Sequence, residues 1–250
     1  MIEFFRRQFR SLRRISRFAT VLVRAHAEFR RLASAGPVGM ETRVRLLQGW
    51  CRKSLAALEI KVEVEGMVPS QGLLVSNHLS YVDILACSSV TACAFVSKAE
   101  VASWPVVGRL AEYGGTIFVQ RDVRSASRTV NQQIASYLRA SIPLVLFPEG
   151  TTTDGSQVLR FHSSMVQPAI DAGVPVTPCA VRYQVSGGTE KDVAWWGVMT
   201  LLPHAWKLLG KQTITVTIAF GEPLTKSVTR KLLSDAARQS VIELRARLVR

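Results

Sequence analysis

The chain has 250 residues, 48% of them hydrophobic, which is enough for one domain with a sizeable core. Its formal net charge of +14 is uneven, with 13 Lys and Arg against four acidic residues in residues 1–60, and 19 against 14 in the rest. No apolar run of about 18 residues occurs, and arginines interrupt the N-terminal apolar positions, so neither a conventional transmembrane helix nor a secretory signal is expected.

The first predicted element is an amphipathic helix over residues 2–24. On a helical wheel, nine large apolar residues fall within an arc of about 200°, and seven arginines occupy the remaining sector. This pattern is typical of helices that lie in an anionic membrane surface, so we expect an anionic membrane as a partner. The apolar residues are Ile2, Phe4, Phe5, Phe9, Leu12, Ile15, Phe18, Leu22 and Val23, and the arginines are Arg6, Arg7, Arg10, Arg13, Arg14, Arg17 and Arg24.

Two other interpretations of this helix stay open. Its apolar face could pack on the protein's own core and leave the arginines in solvent. Nucleic-acid binding is the other, but it needs aromatic or polar groups among the basic residues, and the aromatics here lie on the opposite face. The sequence therefore favours a lipid surface over a nucleic acid.

Short apolar runs then alternate with helical patterns along the chain. This alternation predicts an α/β fold, a mixed sheet flanked by helices, with the N-terminal basic amphipathic helical segment in front of it. The predicted helices cover residues 41–58, 83–90, 124–140, 164–172 and 226–248, and the predicted strands cover 62–66, 73–76, 93–97, 116–119, 143–147, 174–183 and 213–220.

A histidine and an aspartate follow one of these strands, in the segment Asn77-His78-Leu79-Ser80-Tyr81-Val82-Asp83. Positions five apart on one helix diverge by about 140°, so the two side chains can meet only if the histidine precedes the helix. Asp83 must then lie in the first helical turn. A carboxylate there can fix the imidazole tautomer, and the imidazole can take a proton from an alcohol. His78 and Asp83 are therefore the candidate catalytic residues.

Further blocks follow this pair in a fixed order: residues 115–121, 147–151 and 174–178. Residues 96–100 and 104–108 lie between the His78–Asp83 segment and the block at 115–121. The series resembles the four signature blocks of the glycerolipid acyltransferases, the family of 1-acylglycerol-3-phosphate acyltransferases and related lysophospholipid acyltransferases. The resemblance covers about residues 60 to 225. It implies an acyltransferase domain, which we place at residues 59–250. The basic amphipathic segment before it, residues 1–58, is expected to be a membrane-associating module.

The resemblance also implies roles for individual residues. His78 would be the general base and Asp83 would orient it. No covalent acyl-enzyme would form, because the thioester donor is already activated. Glu149 and Gly150, in the block that ends at Thr151, would bind the acceptor, and Thr151 offers a hydroxyl and an amide to a polar head group.

Three basic residues are candidates for an anionic head group. Lys98 and Arg121 follow predicted strands at positions that match phosphate-contacting residues of the family. Arg160 lies where many family members carry a Phe-Lys-rich segment. Because this chain departs from that pattern, the resemblance predicts the reaction but does not define the head group of the acceptor. His162 has no carboxylate at a matching spacing, and we interpret it as structural, with a contact to the head group as the alternative.

The activity implied by the resemblance is transfer of a fatty acyl group from acyl-CoA or acyl carrier protein to the hydroxyl of a lysolipid. The expected location is peripheral, on the cytoplasmic face of a membrane. 1-Acylglycerol-3-phosphate is the first expected acceptor, and a lyso-ornithine lipid or another lysophospholipid is the alternative. No metal, cofactor or nucleic acid is expected, and the four cysteines, which lack metal-site spacing, are predicted to be reduced thiols.

Two functions from other classes remain as alternatives. One is a catalytically silent protein that binds a membrane surface, and the other is a hydrolase of the same thioesters. A serine nucleophile beside His78 is disfavoured, since the chain has no Gly-x-Ser-x-Gly motif.

An aromatic and aliphatic cluster surrounds Pro203. It is compatible with core packing, with a wall for an acyl chain, or with an anchor at a membrane interface, where indoles are favoured. Its members are Trp195, Trp196, Met199, Leu201, Leu202, Trp206, Leu208 and Leu209.

Overall fold

The computed structural model describes residues 1–119, 124–225 and 229–248, without the side chains of 124–128. Within these ranges one sheet contains β1 (Ile60–Glu65), β2 (Leu73–Ser76), β3 (Ala94–Lys98), β4 (Ile117–Val119), β5 (Leu144–Leu146), β6 (Val176–Val185) and β7 (Ile214–Phe220). The α-helices in the same ranges are α1 (Ile2–Ser34), α2 (Met40–Leu58), α3 (Val82–Val90), α4 (Val107–Tyr113), α5 (Arg124–Arg139), α6 (Gln167–Ala172), α7 (Leu201–Leu209) and α8 (Arg230–Arg247).

The strand order across the sheet is β1-β7-β6-β2-β5-β3-β4. Strands β6, β2, β5, β3 and β4 run parallel, whereas β7 pairs antiparallel with β6 and carries β1 alongside it. The carboxyl ends of five strands therefore meet at one edge of the sheet, which is where ligands bind in α/β folds. The predicted α/β class with a mixed sheet is confirmed.

Helices cover both faces of the sheet, and the strands alternate between two cores accordingly. In β2, Leu74 points into the first core, while Leu73 and Val75 point into the second. Helices α1, α2, α3 and α7 contribute to the first core, and α5, α6 and α8 to the second. The N-terminal helices thus share their core with the sheet.

The predicted strands are all present, with bounds shifted by one or two residues at most ends. The helices α4 and α7 were not predicted from the sequence. Both are short, with seven and nine residues, and an isolated helix of that length has little stability of its own. The start of the last predicted helix, residues 226–228, lies outside the described residues.

Helix α1 has 33 residues and changes its environment along its length. Its second half packs on the first core through Ala25 and Phe29, which are both buried. In the first half, the large apolar residues Phe4, Phe5 and Phe9 are exposed. Among the described residues no helix is long and apolar enough to cross a membrane.

Arginines in the first half of α1 face the protein. Arg14 is 1% exposed, and its guanidinium donates to the backbone carbonyls of Leu209, Lys211 and Gln212 at 2.9, 2.7 and 3.1 Å. Its Nε donates to Glu59 at 3.1 Å. These acceptors attract the arginine because the carbonyls at the end of a helix lack intrahelical partners.

Three further arginines of α1 also bind groups of the protein. Arg10 donates to the carbonyl of Gly210 at 2.6 Å, and Arg13 and Arg17 form ion pairs with Glu59. The expected arrangement, with all seven arginines turned to an anionic surface, is therefore wrong for Arg14 and Arg10, whereas Arg13 and Arg17 stay exposed beside Glu59.

Substituting Arg14 with methionine is expected to destabilise the protein by about 3 kcal/mol, because the buried carbonyl of Leu209, the carbonyls of Lys211 and Gln212, and Glu59 lose their donor. Arg13→Met is the matched control. That arginine is exposed and shares Glu59, so its loss should cost less than about 1 kcal/mol. Urea unfolding followed by circular dichroism measures both values. Equal values for the two variants would contradict the role given to Arg14.

Candidate active site

His78 and Asp83 meet in the geometry that their spacing requires. Strand β2 ends before His78, and Asp83 lies in the first turn of α3. His78 Nδ1 is 2.7 Å from Asp83 Oδ2, with the aspartate fully buried and the histidine side chain 18% exposed. An ionised carboxylate can only accept, so the proton lies on Nδ1. Nε2, which bonds to none of the described residues, keeps its lone pair and can act as a base.

The Asp83 carboxylate is held by three groups besides the histidine. Oδ2 accepts the backbone N–H groups of Leu79 at 2.7 Å and Ser80 at 3.0 Å. Oδ1 accepts the hydroxyl of Tyr183 at 2.5 Å. A buried carboxylate needs such partners, because unpaired oxygens would cost several kcal/mol. Together they fix the orientation of the carboxylate toward His78.

The loop after β5 fixes His78 itself. The Phe147 ring stacks on the imidazole with the centroids 3.9 Å apart and the planes 13° from parallel. The backbone N–H of His78 donates to Glu149 Oε1 at 2.8 Å, and its carbonyl accepts from the N–H of Thr153 at 2.9 Å. Both polar backbone groups of the histidine are thus bound to one loop.

Glu149 uses its second carboxylate oxygen in the same manner, since Oε2 accepts the N–H of Leu159 at 2.8 Å. The residue is 4% exposed. Burial raises the pKa of Glu149, and the bonds from Leu159 and His78 oppose this shift. The sequence predicted acceptor binding by Glu149. In the structure its carboxylate binds backbone on both sides, which favours a role in positioning His78.

Gly150 and Thr151 complete this loop at the edge of the sheet. Gly150 has a φ of +73°, a conformation that glycine adopts without strain. Thr151 is exposed, whereas Glu149 before it is buried. Thr151 is therefore open to a ligand, whereas the Glu149 carboxylate is not.

Two of the three predicted cations lie in the described part of the chain. Lys98 is exposed at the end of β3, which is two strands from β2 and therefore about 10 Å away. Arg160 is exposed as well. Neither one forms a hydrogen bond or ion pair with another described residue. Arg121 lies outside the described residues, two positions after the end of β4. His162 is exposed and close in sequence to Arg160, without contacting the catalytic pair.

Sequence reasoning missed two residues that hold the site. Asn77 pairs with the backbone of Val181 in β6, donating from Nδ2 at 3.0 Å and accepting at Oδ1 at 2.9 Å. The only sequence signal for this role is its position directly before His78. Tyr183 lies 100 residues from Asp83, and no local pattern indicates their contact.

Aromatic side chains line the catalytic turn on another side. The backbone N–H of Trp195 donates to the carbonyl of Leu79 at 2.7 Å, and the indole ring of Trp195 meets Tyr81 and Trp104 edge-on at 6.1 and 6.0 Å between centroids. The cluster around Pro203 is therefore divided, with Trp195 beside the site. Other members, exposed on the surface, are Trp196, Met199, Leu202 and Trp206.

The described residues contain no group of three or more His, Cys, Asp or Glu side chains arranged to hold a metal ion. Cys51, Cys87, Cys93 and Cys179 are free and buried. Burial raises the pKa of Cys179 to about 12, so its thiol stays protonated at neutral pH.

Comparisons with known proteins identify relatives of this chain. The Acyltransferase family model matches residues 59–182, which include the catalytic pair and Glu149. A lyso-ornithine lipid O-acyltransferase from Pseudomonas aeruginosa is 38% identical over 80% of this chain and 78% of that protein. A 1-acyl-sn-glycerol-3-phosphate acyltransferase from Neisseria meningitidis is 31% identical over 93% of this chain and 92% of that protein.

The fold also has a solved counterpart. The 1-acyl-sn-glycerophosphate acyltransferase PlsC from Thermotoga maritima matches with a TM-score of 0.71 over 98% of both chains, at 22% identity. That similarity shows a shared fold, and the two closer sequence relatives show shared ancestry over most of the chain. The chain therefore belongs to the glycerolipid and lysolipid acyltransferase family.

Proposed function

We propose that this acyltransferase moves a fatty acyl group from acyl-CoA or acyl carrier protein to the free hydroxyl of a lysolipid. The acceptor in this proposal is 1-acylglycerol-3-phosphate, and the product is phosphatidic acid. The observation that carries the proposal is His78, whose Nδ1 is bound by Asp83 while its Nε2 is available at the sheet edge. Membership of the family supports an enzyme over the catalytically silent binding protein.

In the proposed step, Nε2 of His78 takes the proton of the lysolipid hydroxyl while the oxygen attacks the thioester carbonyl. A C–O bond forms and the C–S bond breaks, and the imidazolium returns the proton to the leaving thiolate. Ser76 and Ser80 flank the histidine but are fully buried, so neither offers a hydroxyl to the thioester. Direct transfer therefore fits better than a serine nucleophile.

A phosphate-bearing acceptor is supported by three basic residues of the acyltransferase domain. Lys98 and Arg121 resemble the phosphate-contacting residues of the family in position, and Lys98 and Arg160 are exposed. Cations of this kind bind phosphate oxygens through charge-assisted hydrogen bonds. The three residues are proposed to hold the phosphate while the hydroxyl reaches His78.

A lyso-ornithine lipid is the second candidate acceptor. The observation that favours it is sequence identity, which is 38% to the lyso-ornithine lipid enzyme and 31% to the lysophosphatidate enzyme. Its head group carries a carboxylate and an amine, so the same cations would meet a carboxylate in place of the phosphate. The acyl transfer at His78 would be the same.

A panel of lysolipids distinguishes these acceptors. The purified chain is supplied with palmitoyl-CoA and, separately, with palmitoyl carrier protein, and the products are identified by mass spectrometry. We expect the highest kcat/KM for 1-acylglycerol-3-phosphate. A higher kcat/KM for lyso-ornithine lipid would reassign the acceptor, and no acylated product with either donor would contradict the proposal. The net charge of +14 would attract either donor, through the phosphates of CoA or the acidic carrier protein.

We further propose a peripheral location on the cytoplasmic side of a membrane, where both donors are found. An exposed apolar surface supports it, formed by Phe4, Phe5, Phe9 and Leu12 of α1 with Val198, Met199, Leu202 and Trp206 beside α7. The two parts touch, since Trp206 donates to Gln8 at 2.7 Å and Ser11 donates to the Trp206 carbonyl at 3.0 Å. An exposed apolar patch of this kind marks a docking site, and a lysolipid substrate makes lipid the fitting partner.

Binding to vesicles is expected to depend on this apolar surface more than on charge, because Arg10, Arg13, Arg14 and Arg17 are bound to the protein. A triple variant with serine at Phe5, Phe9 and Leu12 should bind anionic vesicles at least about 100-fold more weakly, since each buried apolar side chain contributes about 1.5 to 3 kcal/mol.

Co-sedimentation with the full chain measures this effect, at low salt and at about 1 M salt, where the Debye length is about 3 Å. The control substitutes serine for Arg6 and Arg24, which are exposed. Wild-type binding should persist in high salt. Binding that survives the apolar substitutions but is lost in high salt would show the charge-driven mode instead.

A further inference from the structure

Tyr183 lies in the part of β6 that extends beyond the end of the neighbouring strand β2. Strand β6 pairs with β2 in a register that places Cys179 opposite Ser76, the last residue of β2. Beyond that point β6 lies beneath the catalytic turn, and Tyr183 points into the first core, 2% exposed. Its hydroxyl donates to Asp83 Oδ1, and the other oxygen of the same carboxylate accepts from His78 Nδ1.

We infer that Tyr183 is a positioning residue for acyl transfer, whose hydroxyl orients Asp83 and draws part of its negative charge away from His78. The inference rests on the proposed function. The aspartate has two oxygens, and the tyrosine occupies the one that faces away from the imidazole. A donor on that oxygen weakens the carboxylate as a partner for the imidazolium, so it tunes the pH at which His78 becomes a free base.

The structure keeps this hydroxyl in place as a donor. Burial and the nearby Asp83 raise the pKa of Tyr183 well above its ordinary value, so the phenol stays protonated in any assay near neutral pH. The backbone N–H of Tyr183 donates to Glu190 at 3.0 Å, and Glu190 forms an ion pair with Arg245 of α8 at 2.7 Å. Arg245 also donates to the Val181 carbonyl at 2.5 Å.

Few other titratable groups face this pair. Glu149 is buried, with both oxygens bound to backbone N–H groups. The thiols of Cys87 and Cys179 lie close enough to Asp83 for its charge to act on them, and burial raises the pKa of both, so they stay neutral near pH 7. Burial also raises the pKa of Glu149, which contacts His78, so the titration of His78 itself is needed to assign a change in pH dependence to the His78–Asp83 pair.

Tyr183→Phe, which keeps the ring and removes the hydroxyl, tests the inference. We expect kcat to fall by about 10- to 100-fold, the rate equivalent of one hydrogen bond to a charged group, with KM for both substrates nearly unchanged. The acid limb of the pH profile of kcat/KM should move to higher pH. Tyr137→Phe is the matched control, because that buried hydroxyl donates to the Gly115 carbonyl at 3.0 Å and lies in the other core.

A second readout does not depend on activity. In ¹⁵N-histidine NMR, the His78 imidazole, assigned by its absence in His78→Ala, should take up its proton at higher pH in Tyr183→Phe than in the wild type. A double-mutant cycle with Asp83→Asn should show strong non-additivity, since the tyrosine acts through the aspartate. Should Tyr183→Phe fail to fold, 3-fluorotyrosine at position 183 keeps the hydroxyl as a stronger donor and should move the acid limb to lower pH.

The outcomes separate the two proposals. An active wild type whose kcat, pH profile and His78 titration are unchanged by Tyr183→Phe would overturn the inference and leave the proposed function standing. An equal loss in Tyr137→Phe would also overturn it, because the effect would then be general destabilisation. A wild type without acyl transfer to any lysolipid would contradict the proposed function, while the NMR titration would still test the contact with Asp83.

Discussion

His78→Ala is expected to lower kcat by about 10²- to 10⁴-fold, the range over which a positioned general base contributes to catalysis. The reason lies in the geometry of the turn, where Asp83 fixes the proton on Nδ1 and leaves Nε2 as the available base. Alanine removes this base without touching the carbonyl and N–H that anchor the turn to Thr153 and Glu149. KM for the two substrates should change little.

The measurement is steady-state thiol release with saturating lysolipid, together with circular dichroism to verify folding. His26→Ala is the matched control, since that histidine lies exposed on α1 and contacts Tyr113 at 3.4 Å. Its activity should equal that of the wild type. A His78→Ala variant that keeps more than about a third of the wild-type kcat would place the base elsewhere.

Glu149→Gln is expected to have the second-largest effect, lowering kcat by about 10- to 100-fold at nearly constant KM for the lysolipid. Both carboxylate oxygens accept backbone N–H groups, from His78 and from Leu159. Glutamine replaces one of those oxygens with an NH₂ group. That group is a donor and would face the backbone N–H of His78 or Leu159, which is also a donor. The catalytic turn should then shift away from Asp83, which slows the chemical step.

If Glu149 instead binds the acceptor, as the sequence implied, its substitution should change KM and not kcat. In that case KM for the lysolipid would rise by tenfold or more, while kcat would stay near its wild-type value. Asp192→Asn is a suitable control, because that carboxylate also accepts a backbone N–H, from Thr189 at 2.8 Å, but belongs to a different loop. Initial rates over a range of lysolipid concentrations decide between the two roles.

Local periodicity accounts for the part of the site that could be predicted. The helical repeat alone requires His78 to precede α3 and Asp83 to enter its first turn, and both conditions are met. Alternating strands and helices likewise give the mixed sheet, because each element carries its own pattern of apolar residues. Both deductions use residues that are close in sequence.

The parts that could not be predicted depend on contacts between distant segments. Tyr183 meets Asp83 across 100 residues, and Asn77 meets Val181 across 104. No periodicity reports such a contact, since it is fixed only when β6 pairs with β2. Glu149 is a related case. A carboxylate after a strand can face solvent or bind nearby backbone N–H groups, and the local sequence does not distinguish these two arrangements.

Helix α1 shows the same limit in another form. The helical wheel contains no information on which side meets the protein, and in the structure both sides do. Arg14 is buried, and Ile15, Phe18 and Leu22 pack against the first core. The partners that bind Arg14 lie 45 residues away at Glu59 and 195 or more away after α7. The end of a short helix that the sequence did not reveal therefore decides how the longest helix is oriented.

The most direct test of direct acyl transfer is thiol release from palmitoyl-CoA by the purified chain, with and without 1-acylglycerol-3-phosphate, with the lipid products quantified in the same reaction. Base catalysis by His78 on an acceptor hydroxyl predicts that release requires the lysolipid and that each CoA released is matched by one molecule of phosphatidic acid. Release of CoA together with free palmitate, at the same rate without any lysolipid, would contradict transfer and identify a thioesterase.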